Sequence, residues 1–162
     1  MYVITGATGH IGNRIANLLL DKGKEVRVIG RDSARLKALV AKGAKPSVGT
    51  LDDAKFVSDA FAGADGAFCM IPPDMQAKDI KAFQKRISES MIAAVKTAHV
   101  KCVVNLSSIG AELDHGNGPI AGLHDHEERG ALRSQQGHRL HPRARPRGWR
   151  SGGRGPLRAT SV

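Results

Sequence analysis

The stretch Thr5-Gly6-Ala7-Thr8-Gly9-His10-Ile11-Gly12 does most to limit what this chain can fold into. It follows a short apolar run, Met1 to Ile4, and precedes a helical pattern, so it reads as strand, tight turn and helix. Gly6 permits the turn, and Gly9 leaves no Cβ to hold a pyrophosphate away from the backbone. Gly12 lets the helix pack closely on the strand. The helix N-terminus offers a positive dipole end, with Thr8, His10 and Ile11 as backbone donors. The spacing is G-x-x-G-x-x-G and departs from the generic G-x-G-x-x-G fingerprint. With 19 glycines among 162 residues, spacing alone carries little, and a merely structural turn is the plain alternative. The position between strand and helix carries the nucleotide reading.

Further along, apolar runs and helical stripes alternate. Ile11, Ile15, Leu18 and Leu19 share a helical face that ends at Lys22-Gly23. Glu25 to Ile29 reads as a second strand, and Ser33 as the N-cap of a helix reaching Lys42. A third strand is expected near Lys45 to Val48, then a helix opened by Asp52 or Asp53. Gly66 to Ile71 is the fourth strand, nearly unbroken in apolar character, as when both faces are covered. The longest helix is expected from Met75 to Ala98, with Ile80, Phe83, Ile87, Met91 and Val95 inward, followed by a strand from Val100 to Leu106. This alternation predicts a doubly wound parallel α/β sheet ordered 3-2-1-4-5, truncated after about five strands.

No apolar run is long enough to span a membrane, and the N-terminus reads as a strand rather than a signal peptide, so the cytoplasm is the expected location. Cys69 and Cys102 each fall in an expected buried strand and read as small core residues. The charge is unevenly spread. Residues 1–129 hold 17 Lys and Arg against all 15 acids, a balance of +2, whereas 130–162 hold eight Arg and no acid.

Ligands of such sheets sit at the carboxyl ends of the strands. After the second strand, Arg31 stands where an acid would accept from a ribose 2′-OH, and its guanidinium suits a 2′-phosphate. The expectation is therefore NADP(H) in preference to NAD(H), with Asp32 as a rival 2′-OH acceptor and Arg31 otherwise a solvated charge. After the fourth strand, Ile71-Pro72-Pro73 forms a rigid loop that can line the nicotinamide ribose or simply start a helix. Asp114, His115, His124, Asp125 and His126 have no spacing that matches a metal site, so no metal is expected.

TGATGHIG at 5–12, VRVIGRD at 26–32 and NLSSIGA at 105–111 resemble the NmrA-like, atypical short-chain dehydrogenase/reductase families over residues 1–129. The resemblance implies a Rossmann-type fold binding NAD(P)H, in members that are reductases or redox-sensing regulators. It implies that Asp52, in Gly49-Thr50-Leu51-Asp52, matches an acid near the adenine, although an N-cap role serves it equally. It also implies that Ser107 faces the substrate carbonyl and that His126, beside Glu127, lies over the nicotinamide. The usual Tyr-x-x-x-Lys partners are missing: the only tyrosine is Tyr2, and no lysine follows Lys101. A quinone or enone reductase is the leading expectation, with a non-catalytic NADP(H) sensor or an inactive truncated product as alternatives.

From Gly130 the character changes. Arginine, glycine, proline and histidine dominate without helical or strand period, which reads as a disordered tail. All its basic residues are arginine, as GC-rich DNA read out of frame tends to give. Back-translating Ser134 to Arg139 and shifting one base permits Leu-Asn-Lys-Val-Thr-Val, a helix end entering a strand. A frameshift product is therefore expected there. The rival is an arginine-rich nucleic-acid arm, but it lacks RGG repeats and has only Trp149 as an aromatic, leaving non-specific polyanion binding.

Overall fold

The computed structural model describes residues 1–72, 77, 79–106 and the backbone of 159–161. Five strands run parallel: β1 (Tyr2–Ile4), β2 (Val26–Gly30), β3 (Lys45–Val48), β4 (Gly66–Cys69) and β5 (Cys102–Leu106). They lie in the order β3-β2-β1-β4-β5, the doubly wound arrangement expected from the alternation. A short β6 (Ala159–Ser161) pairs antiparallel with β5, setting Ser161 opposite Val104. Nothing in the pattern of the tail had pointed to a strand. Its other residues, Ser107 to Gly110 and the candidate metal ligands from Asp114 to His126 lie outside the described residues.

Four helices, α1 (His10–Asp21), α2 (Lys37–Ala41), α3 (Ala54–Phe61) and α4 (Ile80–Thr97), cover the sheet. Successive strand residues point to opposite layers. Val3, Ile29, Ala67, Cys69 and Val103 join Val57, Phe61, Ile87 and Met91 of α3 and α4 in one core cluster. One residue along each of β1, β2 and β4, Ile4, Val28 and Phe68 join Ala16, Leu36 and Leu39 on the α1 and α2 side. Burial on both faces is why these strands carry continuous apolar runs.

The helix ends correct several local expectations. Ser33 lies in the right-handed helical region and makes no capping bond, whereas Asp32 Oδ1 accepts from the Ala34 N–H at 2.8 Å. The carboxylate is the stronger acceptor and starts the turn one residue earlier, so Ala34–Leu36 form a 3₁₀ turn before α2. At α3 the cap is Asp53, whose Oδ1 accepts from the Phe56 N–H at 3.0 Å, leaving Asp52 outside the cap. α4 begins at Ile80 behind Asp79, which accepts from the Ala82 N–H at 2.8 Å, with residues 73–76 outside the description. Its buried stripe of Ile87, Met91 and Val95 shares its face with Gln84 and Ser88.

Arg27, given no role by the sequence analysis, ties β2 to the end of α3. Its Nη1 donates to the Ala60 carbonyl at 2.7 Å and to those of Asp59 and Ala62 at 3.3 Å, satisfying carbonyls that the helix leaves open.

The two cysteines separate. Cys69 is buried and its desolvated thiol is pushed up to about 12, while Cys102, at the first position of β5, is exposed rather than buried as its strand position suggested. Membership in an apolar strand therefore does not guarantee burial. The native protein is therefore expected to present one fast-reacting thiol to an alkylating reagent at mildly alkaline pH, and a second only after unfolding. Rapid alkylation at Cys69 in the native protein, read by peptide mass, would contradict this burial.

Candidate functional site

The strand order reverses between β1 and β4, whose carboxyl ends open on the same edge of the sheet. Thr5 joins them there. Its N–H donates to the Phe68 carbonyl at 3.0 Å, its buried hydroxyl donates to the same carbonyl at 3.1 Å, and its Oγ1 accepts from the Met70 N–H at 2.8 Å. The side chain of Met70 then packs against Gly6, where an added Cβ would lie 2.8 Å from Met70 Cγ.

The three glycines of the turn do different things. Gly6 has φ +60°, a conformation that glycine adopts without strain. Gly12 is the most confined: a Cβ there would stand 2.4 Å from the Gly6 carbonyl oxygen and 3.1 Å from that of Thr5. Gly9 is confined least, since the nearest neighbour of a Cβ there would be the Gly6 oxygen at 3.4 Å, an ordinary contact. Its backbone is extended, with φ −92° and ψ 167°, and it caps α1 without any side chain. The space above Gly9 is thus left open by the protein.

The first turn of α1 carries no acidic side chain, so the leading N–H groups and the positive end of the helix have no carboxylate partner from that turn. An open groove beside this end is lined by Thr8, Gly9, His10, Asn13, Arg14, Asn17 and Arg35. No carboxylate lines it. Such a surface, rich in N–H donors and guanidinium groups, suits a phosphorylated, anionic ligand.

The structure brings Thr8, Gly9 and His10 into this groove and holds Gly6 and Gly12 beneath it. Ile11 is half-buried against the α1-side core. Arg31, exposed at the end of β2, does not line the groove, and Arg35 in the following 3₁₀ turn does. Asp52 is exposed beyond β3, while buried Ile71 and half-buried Pro72 follow β4 at the same edge. Ser107 and His126 lie outside the described residues. Sequence reasoning passed over Asn13, Arg14, Asn17 and Arg35. The signal was available for two of these, because Arg14 and Asn17 recur with His10 at the spacing of one helical face.

Among the described residues no helix is long and apolar enough to cross a membrane, and no cluster of three or more His, Cys, Asp or Glu stands ready for a metal.

Comparison with known proteins places these features. Residues 6–137 match the family described as NAD(P)H-binding. An NAD(P)H azoreductase of Xenophilus azovorans is 31% identical over 116 residues, covering 70% of this chain and 37% of that protein. The Citrobacter triphenylmethane reductase complexed with NADP(H) superimposes with a TM-score of 0.66 at 23% identity, over 80% of this chain and 44% of that one. The NADPH-dependent quinone oxidoreductase of Escherichia coli gives 0.64 at 24% identity, over 83% and 46%. The chain therefore spans less than half the length of these relatives. The glycine turn, the strand order and the family match fall on the same residues, and the chain belongs to the NAD(P)H-binding, NmrA-like group of atypical short-chain dehydrogenases/reductases.

Proposed function

We propose that the chain is an NADP(H)-binding oxidoreductase domain whose reaction passes hydride to a small organic acceptor such as a quinone or an enone. The observation that carries the cofactor reading is the carboxylate-free groove over Gly9. Its N–H groups at Thr8, His10 and Ile11 hold the pyrophosphate, with Gly6 and Gly12 setting the turn. Arg31 and Arg35 take the 2′-phosphate. Asp32, the rival acceptor for a ribose hydroxyl, receives the Ala34 N–H on Oδ1. Asp52 approaches the adenine, and Ile71 and Pro72 line the nicotinamide ribose. Bound NADPH supplies the hydride. Ser107 holds the substrate carbonyl, and His126 stands over the nicotinamide as a proton donor. The azoreductase and the two dye and quinone reductases support an aromatic or quinonoid acceptor. The reading places the protein in the cytoplasm, and leaves the basic tail with salt-sensitive polyanion contacts alone.

One observation favours a second reading, a redox sensor that binds NADP(H) without turnover. The ring of Tyr2 packs over Gly66 at the amino end of β1, where an added Cβ would meet it at 3.0 Å. That is the edge of the sheet opposite the candidate site, so this chain's tyrosine cannot serve as its proton donor.

Fluorescence titration of NADPH and NADH into the full chain at moderate salt tests the cofactor reading. Replacing both Arg31 and Arg35 by glutamine is expected to weaken NADPH about tenfold and NADH far less. Equal binding of the two nucleotides by wild type and variant would overturn the 2′-phosphate assignment. Steady-state NADPH oxidation with a quinone panel then separates reductase from sensor.

A further inference from the structure

A chain of side-chain amides runs from the groove down α1 to the end of α2. Lys42 Nζ, at the C-cap of α2, donates to Asn17 Oδ1 at 2.6 Å. An ammonium is donor only, so this contact fixes which end of the Asn17 amide is oxygen. Asn17 Nδ2 then faces Asn13 and spends both hydrogens there, on the Asn13 carbonyl at 2.9 Å and on Asn13 Oδ1 at 3.0 Å. The Asn13 amide is thereby oriented in turn. Its oxygen is occupied by Asn17, and its Nδ2 has no acceptor recorded among the described residues. Asn13 lines the same groove as Arg14 and Arg35.

We infer that Asn13 is a specificity-determining donor to the 2′-phosphate of NADPH, with Arg14 as a second guanidinium there. Lys42 and Asn17 are positioning residues that hold the Asn13 amide in its donating orientation. This rests on the NADP(H) reading above and adds residues to it. The physical point is the sign of the groove. An asparagine free to rotate offers an oxygen as readily as an N–H, and an oxygen repels a phosphate dianion. Pinned through Asn17 by the Lys42 cation, Asn13 offers only N–H, which a phosphate accepts and which a ribose hydroxyl gains little from.

The test is the ratio of NADPH to NADH dissociation constants, measured by titration of the full chain. Asn13→Asp keeps the acceptor for Asn17 but turns the groove-facing donor into an anionic acceptor. It is expected to weaken NADPH by about tenfold or more while leaving NADH within about twofold. Lys42→Met, away from the ligand, is expected to lower the NADPH preference about threefold, and Lys42→Arg to restore it, because arginine is also donor only. Arg14→Gln is expected to lower the NADPH preference as well, raising that ratio, and to flatten the salt dependence of NADPH binding. Equal losses for both nucleotides, or an unmoved ratio in a wild type that binds NADPH, would overturn this inference and leave the cofactor reading intact. A wild type that binds neither nucleotide would overturn both.

Discussion

Gly12→Ala is expected to abolish NADPH binding, with affinity falling at least about a hundredfold, or roughly 2.7 kcal/mol. The new methyl group would stand 2.4 Å from the Gly6 carbonyl oxygen and 2.8 Å from its carbon. These are backbone atoms, so no side chain can rotate aside, and either α1 must move off the end of β1 or the turn must open. Both displace the helix N–H groups from the ligand. Gly9→Ala provides the contrast. Its methyl group meets the protein only at an ordinary 3.4 Å, and its φ of −92° suits any residue. That variant should melt close to the wild type while binding NADPH more weakly, because only a ligand occupies the space it fills. Thermal melts and titrations of the two variants make the comparison. If Gly12→Ala melts and binds like the wild type, α1 does not depend on this close approach.

Much of this was legible from the chain alone, for identifiable reasons. Sheet order followed from alternating apolar runs and helical stripes, since a right-handed crossover leaves few ways to arrange them. The turn was legible because glycines recur where the strand passes into the helix, two of them at positions a side chain would disturb: Gly6 for its positive φ and Gly12 for its close approach to the Gly6 carbonyl. What escaped notice depended on which of two neighbouring side chains captures an amide. Asp32 displaced Ser33 as the start of the second helical segment, and of the two acids left open for the third helix Asp53 is the cap, choices set by local backbone geometry. Arg27 escaped because its partners are carbonyls more than thirty residues away, invisible to any periodicity. Arg35 escaped because the 3₁₀ turn directs it into the groove, whereas position along the chain had favoured Arg31. The boundary read at 129 falls within the family match, which continues to residue 137.

Thr5→Val is expected to cost about 2 kcal/mol of stability and to weaken NADPH binding, while Thr5→Ser retains both. Valine fills the same volume, so packing is preserved and only the hydroxyl is lost. The Phe68 carbonyl keeps a partner, because the Thr5 N–H still donates to it at 3.0 Å. The Met70 N–H does not, since its acceptor is Thr5 Oγ1 at 2.8 Å. Losing that bond frees the chain directly after β4, and with it the Met70 side chain that supports Gly6 from below. The loss should therefore reach the glycine turn, although Thr5 is buried and outside the groove. Amide hydrogen exchange separates this route from general destabilisation: Met70 and the residues of the Gly6–Gly9 turn should exchange faster in Thr5→Val, with β2 and β3 unchanged. Uniform acceleration across the sheet would mean that the hydroxyl serves the fold as a whole. A valine variant that matches the serine variant would mean that the Met70 N–H finds another acceptor, and that Thr5 does not couple β4 to the turn.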